Sequence, residues 1–199
     1  MDLTWKHLKK CDIEVIYLLD PVDDFVMTSL MEFEGKKLVS ADSADIELPK
    51  AETEDREDEK PPLTPDEIKG LAAWMKDTIG DRVSEVREST RIMDRPALIV
   101  NPDSAVTTTM RRVMRATGRD QGLEGKKILE INTRHPLITR LKKLRDGKTD
   151  KGLLQSCVRQ IFDSALIEAG LMEDPMPMVE RIYDIMGRAL AAEEEKNGT

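Results

Sequence analysis

The sequence predicts an α+β protein: a small α/β segment, an acidic linker, then a three-stranded sheet with helices and a C-terminal helical hairpin. Two observations carry this prediction. Three short segments rich in aliphatic residues, at 81–88, 97–100 and 127–131, are separated by helical patterns. Two long stretches with apolar residues at helical spacing then follow, over about 149–169 and 177–192. Strands followed by packed terminal helices are typical of this class.

The first predicted element is a strand. Residues 13–19 are β-branched and aliphatic without clean alternation, which is typical of a strand covered on both faces. A helix should begin near Pro21, because the first turn of a helix needs no N–H from that position. We expect this helix to stop at Gly35, and a short second strand to follow at Leu38 and Val39.

An acidic stretch separates this segment from the rest of the chain. Between residues 47 and 60, seven acidic residues accompany only three basic ones and few apolar ones. Such a stretch buries too little apolar surface to offset its ordering entropy. The sequence therefore predicts a linker at 49–62 between a domain at 1–48 and a domain at 63–199.

The second domain begins with a capping signal. Thr64 and Glu67 have the spacing of a capping box, so a helix should start there and end at Gly80. The strand at 81–88 should have one solvated face because its apolar residues alternate with charged ones. The strands at 97–100 and 127–131 are more apolar.

Helix boundaries in the second half are marked by proline, histidine and glycine. A helix from 101 through about 117 should precede Gly118. Pro136 should open another helix through Arg145, with His135 capping the strand-to-helix turn. A long helix should follow Asp150 and end at Gly170.

Few residues offer catalytic or metal chemistry. His7 and His135 are the two histidines, and no metalloprotease, phosphate-loop or Cys-x-x-Cys motif occurs. We therefore expect no catalytic site, no metal site and no cofactor in this chain. The net charge of −8 and the 4% aromatic content argue against a nucleic-acid interface, although Arg111 and Arg112 lie in a basic stretch.

Compartment is inferred from apolar runs and cysteines. No apolar run is long enough to cross a bilayer, and no apolar signal segment stands at the start. Cys11 and Cys157 are too few for a disulfide framework, so we expect two reduced thiols. These observations predict a cytoplasmic protein without a membrane partner.

One short helix has an unusual apolar face. Met110, Val113 and Met114 share one side, which we call the methionine face, while Arg111, Arg112 and Arg115 take the other. The face could pack into the core, as most apolar stripes do. Methionine also suits adaptable contact surfaces, which favours a binding role. Both interpretations remain open from the residues alone.

The two terminal helices have wider apolar faces than one helix pair can cover. An identical hairpin from a second copy could bury the surplus in a dimeric four-helix bundle, whereas the alternative is that the sheet covers it all. The predicted dimer interface consists of Leu154, Val158, Ile161, Leu166, Ile182, Ile185, Met186 and Leu190.

Several stretches match one known family in the same order. The best are EVIYLLDPVDDF at 14–25, FEGKKL at 33–38, DRVSEVR at 81–87, RIMDRPA at 91–97, ILEINTRHPL at 128–137, ALIEAG at 165–170 and EDP at 173–175. They cover nearly the whole chain and resemble the heat-shock protein 90 chaperone family. The match is to its bacterial cytosolic type, because the tail at 193–199 lacks the Glu-Glu-Val-Asp ending that recruits tetratricopeptide co-chaperones.

The resemblance implies a division of labour. Residues 1–48 would be the end of the family's middle domain and 63–199 its C-terminal dimerisation domain. ATP and Mg²⁺ bind elsewhere in full-length relatives, so this chain should not be an ATPase by itself. The family's client-contacting helix falls on the methionine face, which makes unfolded proteins and a second copy the expected partners. Arg111 and Arg112 receive no role.

The chain departs from the family at two places. Thr133 stands where the family usually has proline, so the turn before His135 could differ, and residues 3–8 lack the family's usual opening. The alternative function is a purely structural dimerisation module with a buried methionine face. Protection of Met110 and Met114 from mild peroxide would favour that alternative, because exposed methionines oxidise first.

Overall fold

The fold is α+β, as the sequence predicts. The computed structural model describes residues 13–40, 43, 63–89, 92, 94–100, 107, 109–110, 113–114, 117–118, 127–147 and 150–197. The predicted linker at 49–62, Cys11, His7, Arg111 and Arg112 lie outside these residues. The helices are α1 (Pro21–Leu30), α2 (Pro65–Ile79), α3 (Pro136–Arg145), α4 (Lys151–Ala169) and α5 (Met176–Asn197). The strands are β1 (Glu32–Phe33), β2 (Lys36–Lys37), β3 (Val83–Glu88), β4 (Ala97–Val100) and β5 (Lys127–Ile131).

The predicted strand at 13–19 is wrong. These residues have no regular secondary structure, and Ile16 and Leu19 are exposed. An aliphatic run forms a covered strand only where neighbouring strands supply a hydrogen-bond ladder and two covering layers. Sequence periodicity alone does not report whether those layers exist.

The end of α1 also differs from expectation. The helix begins as predicted, with Asp20 and Asp23 forming a capping box, but it ends at Leu30. Gly35 (φ 77°) instead follows Glu34 (φ 49°) in the two-residue turn that joins β1 to β2. Positive φ at both central residues is typical of the type I′ hairpin turn. The second strand is therefore Lys36–Lys37, one step before the predicted Leu38 and Val39.

The three predicted strands of the second domain form one mixed sheet. Its order is β3-β5-β4, with β3 parallel to β5 and β4 antiparallel to β5. The register shifts between Val83 and Glu85, and Val83 and Val86 are both buried although three residues apart. A strand without a bulge would place them on opposite faces.

Helix boundaries in this domain follow the predicted signals. Thr64 and Glu67 form the capping box of α2, which ends at Gly80 with φ 77°. The N–H of Leu137 donates to His135 Nδ1 at 3.1 Å, so His135 caps α3 as expected. Gly170, in the left-handed conformation, ends α4.

One core joins the sheet to three helices. Helix α2 packs on β3, and α4 packs on both β4 and α2. The largest fully buried side chains of this core are Phe162, Leu71, Met75, Leu129, Ile131, Ile138, Val83 and Val158. Helix α4 is therefore central to the domain, while α5 lies against it from outside.

Candidate interaction surfaces

Helix α5 is held against α4 by one face. It begins where the N–H of Met176 donates to Asp174 Oδ1 at 2.9 Å. Met178 is buried, and Arg181, Ile182 and Ile185 are half-buried. The remaining side chains described on this helix are exposed, so α5 has one inward side and a broad outward side.

A line of apolar side chains runs along the outward side. These residues recur at steps of three, four, three and four, and each is exposed, up to 66% for Leu190 and 69% for Tyr183. We call this line the α5 stripe; it consists of Met176, Val179, Tyr183, Met186 and Leu190. The average step of 3.5 residues is the period of coiled-coil seams. At a rise of about 1.5 Å per residue the stripe is about 21 Å long.

The residues predicted for the dimer interface divide into two groups. Leu154, Val158, Ile161 and Leu166 are buried in the chain's own core, so they offer almost no area to a second copy. Ile182 and Ile185 are half-buried on the inward side of α5. Met186 and Leu190 belong to the α5 stripe, and the dimer interface itself stays a prediction.

Three stripe residues were not among the predicted interface residues. Met176, Val179 and Tyr183 are separated from one another and from Met186 by steps of three or four. A search for a 3.5-residue period would have separated them from Ile182 and Ile185, which follow the wider apolar face. The missed signal was therefore periodicity rather than composition.

The methionine face is only partly accessible. Met110 is buried at 6% exposure, and Val113 and Met114 are half-buried. The N–H of Met110 donates to Thr107 Oγ1 at 3.2 Å, and the Thr107 hydroxyl donates to Asp24 on α1. This pair of hydrogen bonds ties the start of the methionine face to the N-terminal segment.

Exposed ion pairs flank the α5 stripe. Arg188 contacts Asp150 Oδ2 at 2.5 Å and Asp184 Oδ2 at 3.0 Å. The N–H of Gly152 is the main cause of the lowered pKa of Asp150, and the hydrogen bond to Asp184 is the main cause of the raised pKa of Arg188. Exposed pairs of this kind contribute little to stability.

Groups with reactive chemistry are sparse in the part of the chain that the structure describes. Cys157 is a free, half-buried thiol whose pKa is raised by burial, so the thiolate is disfavoured. Within the described ranges, no cluster of three or more His, Cys, Asp or Glu residues could hold a metal ion. No described helix has the length and apolarity needed to span a bilayer.

Comparison with known proteins gives one consistent family. The family model described as Hsp90 protein matches residues 4–199. Chaperone protein HtpG of Desulfotalea psychrophila is 48% identical over 187 residues, or 92% of this chain and 30% of that relative. Those of Desulfitobacterium hafniense and Myxococcus xanthus are 39% and 33% identical over 92% of this chain, and 29% and 28% of their own lengths. The chain thus spans about 30% of the curated relatives it matches.

Proposed function

Because this chain belongs to the Hsp90 family, of the bacterial HtpG type, we propose that it joins two copies of an ATP-dependent chaperone. Its second role would be to contact unfolded client proteins. Neither role requires catalysis by these residues, so nucleotide hydrolysis is assigned to a part of the whole protein outside them. We place this activity in the bacterial cytoplasm, in the response to stress.

The α5 stripe is the observation that carries the dimerisation proposal. Five apolar side chains in one line are exposed to water, and burial of apolar surface is favourable by about 25 cal/mol per Å². A two-fold axis would bring the same stripe from both copies together, as in an isologous interface. The 3.5-residue period suits helices that pack at a small angle, so α4 and α5 of both copies would form a four-helix bundle.

Charge substitutions on the stripe test this proposal. Leu190→Glu, alone and with Tyr183→Glu, should convert the dimer to a monomer because a buried carboxylate in the seam would lack a partner. Leu144→Glu is the matched control, since Leu144 is an exposed leucine on α3. Sedimentation velocity reports the mass, and circular dichroism reports whether each variant folds. Dimers of unchanged affinity in both stripe variants would rule out this surface.

Client contact is proposed for the exposed part of the methionine face. Val113 and Met114 have accessible surface, whereas Met110 is buried and held by Thr107. We therefore assign contact to Val113 and Met114 and an anchoring role to Met110. The burial of Met110 also favours the alternative that this segment is purely structural, so the two functions need a direct test.

Met114→Ser should reduce the suppression of aggregation of thermally unfolding citrate synthase, measured by light scattering. The loss follows from replacing an adaptable apolar side chain with a polar one. Met31→Ser is the matched control, because Met31 is an exposed methionine on another segment. Equal suppression by the wild-type chain and by Met114→Ser, with dimer mass unchanged, would favour the purely structural alternative.

A further inference from the structure

A buried carboxylate lies between α5 and the rest of the domain. Asp163 is on α4 and is 3% exposed. Its Oδ2 accepts from Arg181 of α5 at 2.7 Å, and its Oδ1 accepts from Arg82 at 2.7 Å. Arg82 belongs to the short 3₁₀ turn Gly80–Arg82 that leads into β3. One side chain therefore connects the turn before the sheet, the central helix and the outer helix.

The two arginines differ in their surroundings. Arg181 keeps 14% of its side chain exposed, whereas Arg82 keeps 51% and lies over the Phe162 ring, 4.7 Å from its centroid. The contact between Arg181 and Asp163 is thus largely removed from water. Ion pairs in such places have precise geometry, and loss of one partner leaves a charge that is poorly solvated.

Few other contacts fix the rotation of α5. Met178 is the one buried residue among the side chains described on that helix, and Ile182 and Ile185 are half-buried. Apolar contacts are non-directional, so they allow a helix to roll about its axis more readily than an ion pair does. A hydrogen-bonded arginine at a fixed position sets that rotation.

The position of Arg181 relates this ion pair to the α5 stripe. Arg181 is two residues from Val179 and two from Tyr183. At 3.6 residues per turn, each lies about 200° around the helix from Arg181. When Arg181 bonds to Asp163 on the inward side, the stripe must therefore face away from the domain.

We propose that Asp163 is a positioning residue for dimerisation: through Arg181 it fixes the rotation of α5 so that the stripe faces a second copy. The proposal rests on the proposed dimerisation through the α5 stripe. It concerns a residue that is buried and so does not itself touch the partner. Its loss weakens association by misdirecting the stripe rather than by removing contact area.

The test compares the dimer dissociation constants of Asp163→Asn and Arg181→Gln with that of the wild-type chain by sedimentation. Both variants should weaken the dimer by about tenfold or more. Arg181→Lys should recover part of the loss because it keeps a positive charge near Asp163. Arg188→Gln is the matched control, since Arg188 is on the same helix but its ion pairs are exposed. It should change the dissociation constant by less than about twofold.

Hydrogen exchange separates positioning from general stabilisation. In Asp163→Asn, amide exchange should increase in α5 while β5 and α2 keep their protection. An equal increase across β5 and α5, or a dissociation constant unchanged from wild type, would overturn the proposal. If the wild-type chain is a monomer, the proposed dimerisation fails. The exchange pattern still decides about Asp163: an increase confined to α5 supports its control of that helix, and any other pattern refutes it.

Discussion

Glu67 connects two helices while it caps the start of its own. Its carboxylate accepts the N–H of Thr64 at 2.8 Å and contacts Lys142 Nζ on α3. The hydrogen bond from Lys142, followed by those from Thr64, lowers the pKa of Glu67 from an ordinary 4.5 to about 2. The cap could be predicted from a spacing of three residues. The contact with Lys142 could not, because it joins residues 75 apart.

The lowered pKa of Glu67 predicts a specific acid sensitivity. A carboxyl with a lower pKa in the folded state stabilises the fold above its unfolded pKa, and this contribution disappears as the pH falls from about 4.5 towards 2. Glu67→Gln should therefore be less stable than wild type at neutral pH, and the difference should shrink across that range. Urea unfolding at a series of pH values measures it.

Asp77→Asn on the exposed side of α2 provides the control for this measurement. It removes a carboxylate from the same helix without removing the cap or the contact with Lys142. A difference between wild type and Glu67→Gln that stays constant from neutral pH to pH 2 would contradict the account. Equal stability of the two proteins at neutral pH would do so as well.

At the scale of elements, local signals were sufficient where one residue determines the backbone. Gly80 and Gly170 end α2 and α4 as predicted, and His135 caps α3. These positions require a particular φ or a particular side-chain acceptor, which the sequence states directly. The three strands of the main sheet were likewise predicted, because their aliphatic segments are bounded by turn residues.

Elements that depend on distant partners were predicted less well. Residues 13–19 have strand-like composition but no regular structure, and Gly35 serves a hairpin turn instead of ending α1. The bulge between Val83 and Glu85 is also absent from any local pattern. Composition expresses a preference for strand, whereas pairing and register are decided by the neighbouring chain.

At the scale of the whole molecule, the main question is how apolar surface is divided between the core and a second copy. The sequence predicted a surplus on the two terminal helices but not its location. Helix α4 is enclosed by the sheet and α2, so its predicted interface residues contribute to the core. The surplus lies on α5, where spacing rather than hydrophobicity marks it.

Light scattering across a dilution series tests the central claim most directly. The account predicts the mass of two 22.5 kDa chains at high concentration, with dissociation only on dilution. About a thousandfold dilution covers about 4 kcal/mol of association free energy, enough to place the midpoint for a moderately tight dimer. The mass of a single chain at every concentration would contradict the account, because the α5 stripe would then have no second copy to bury it.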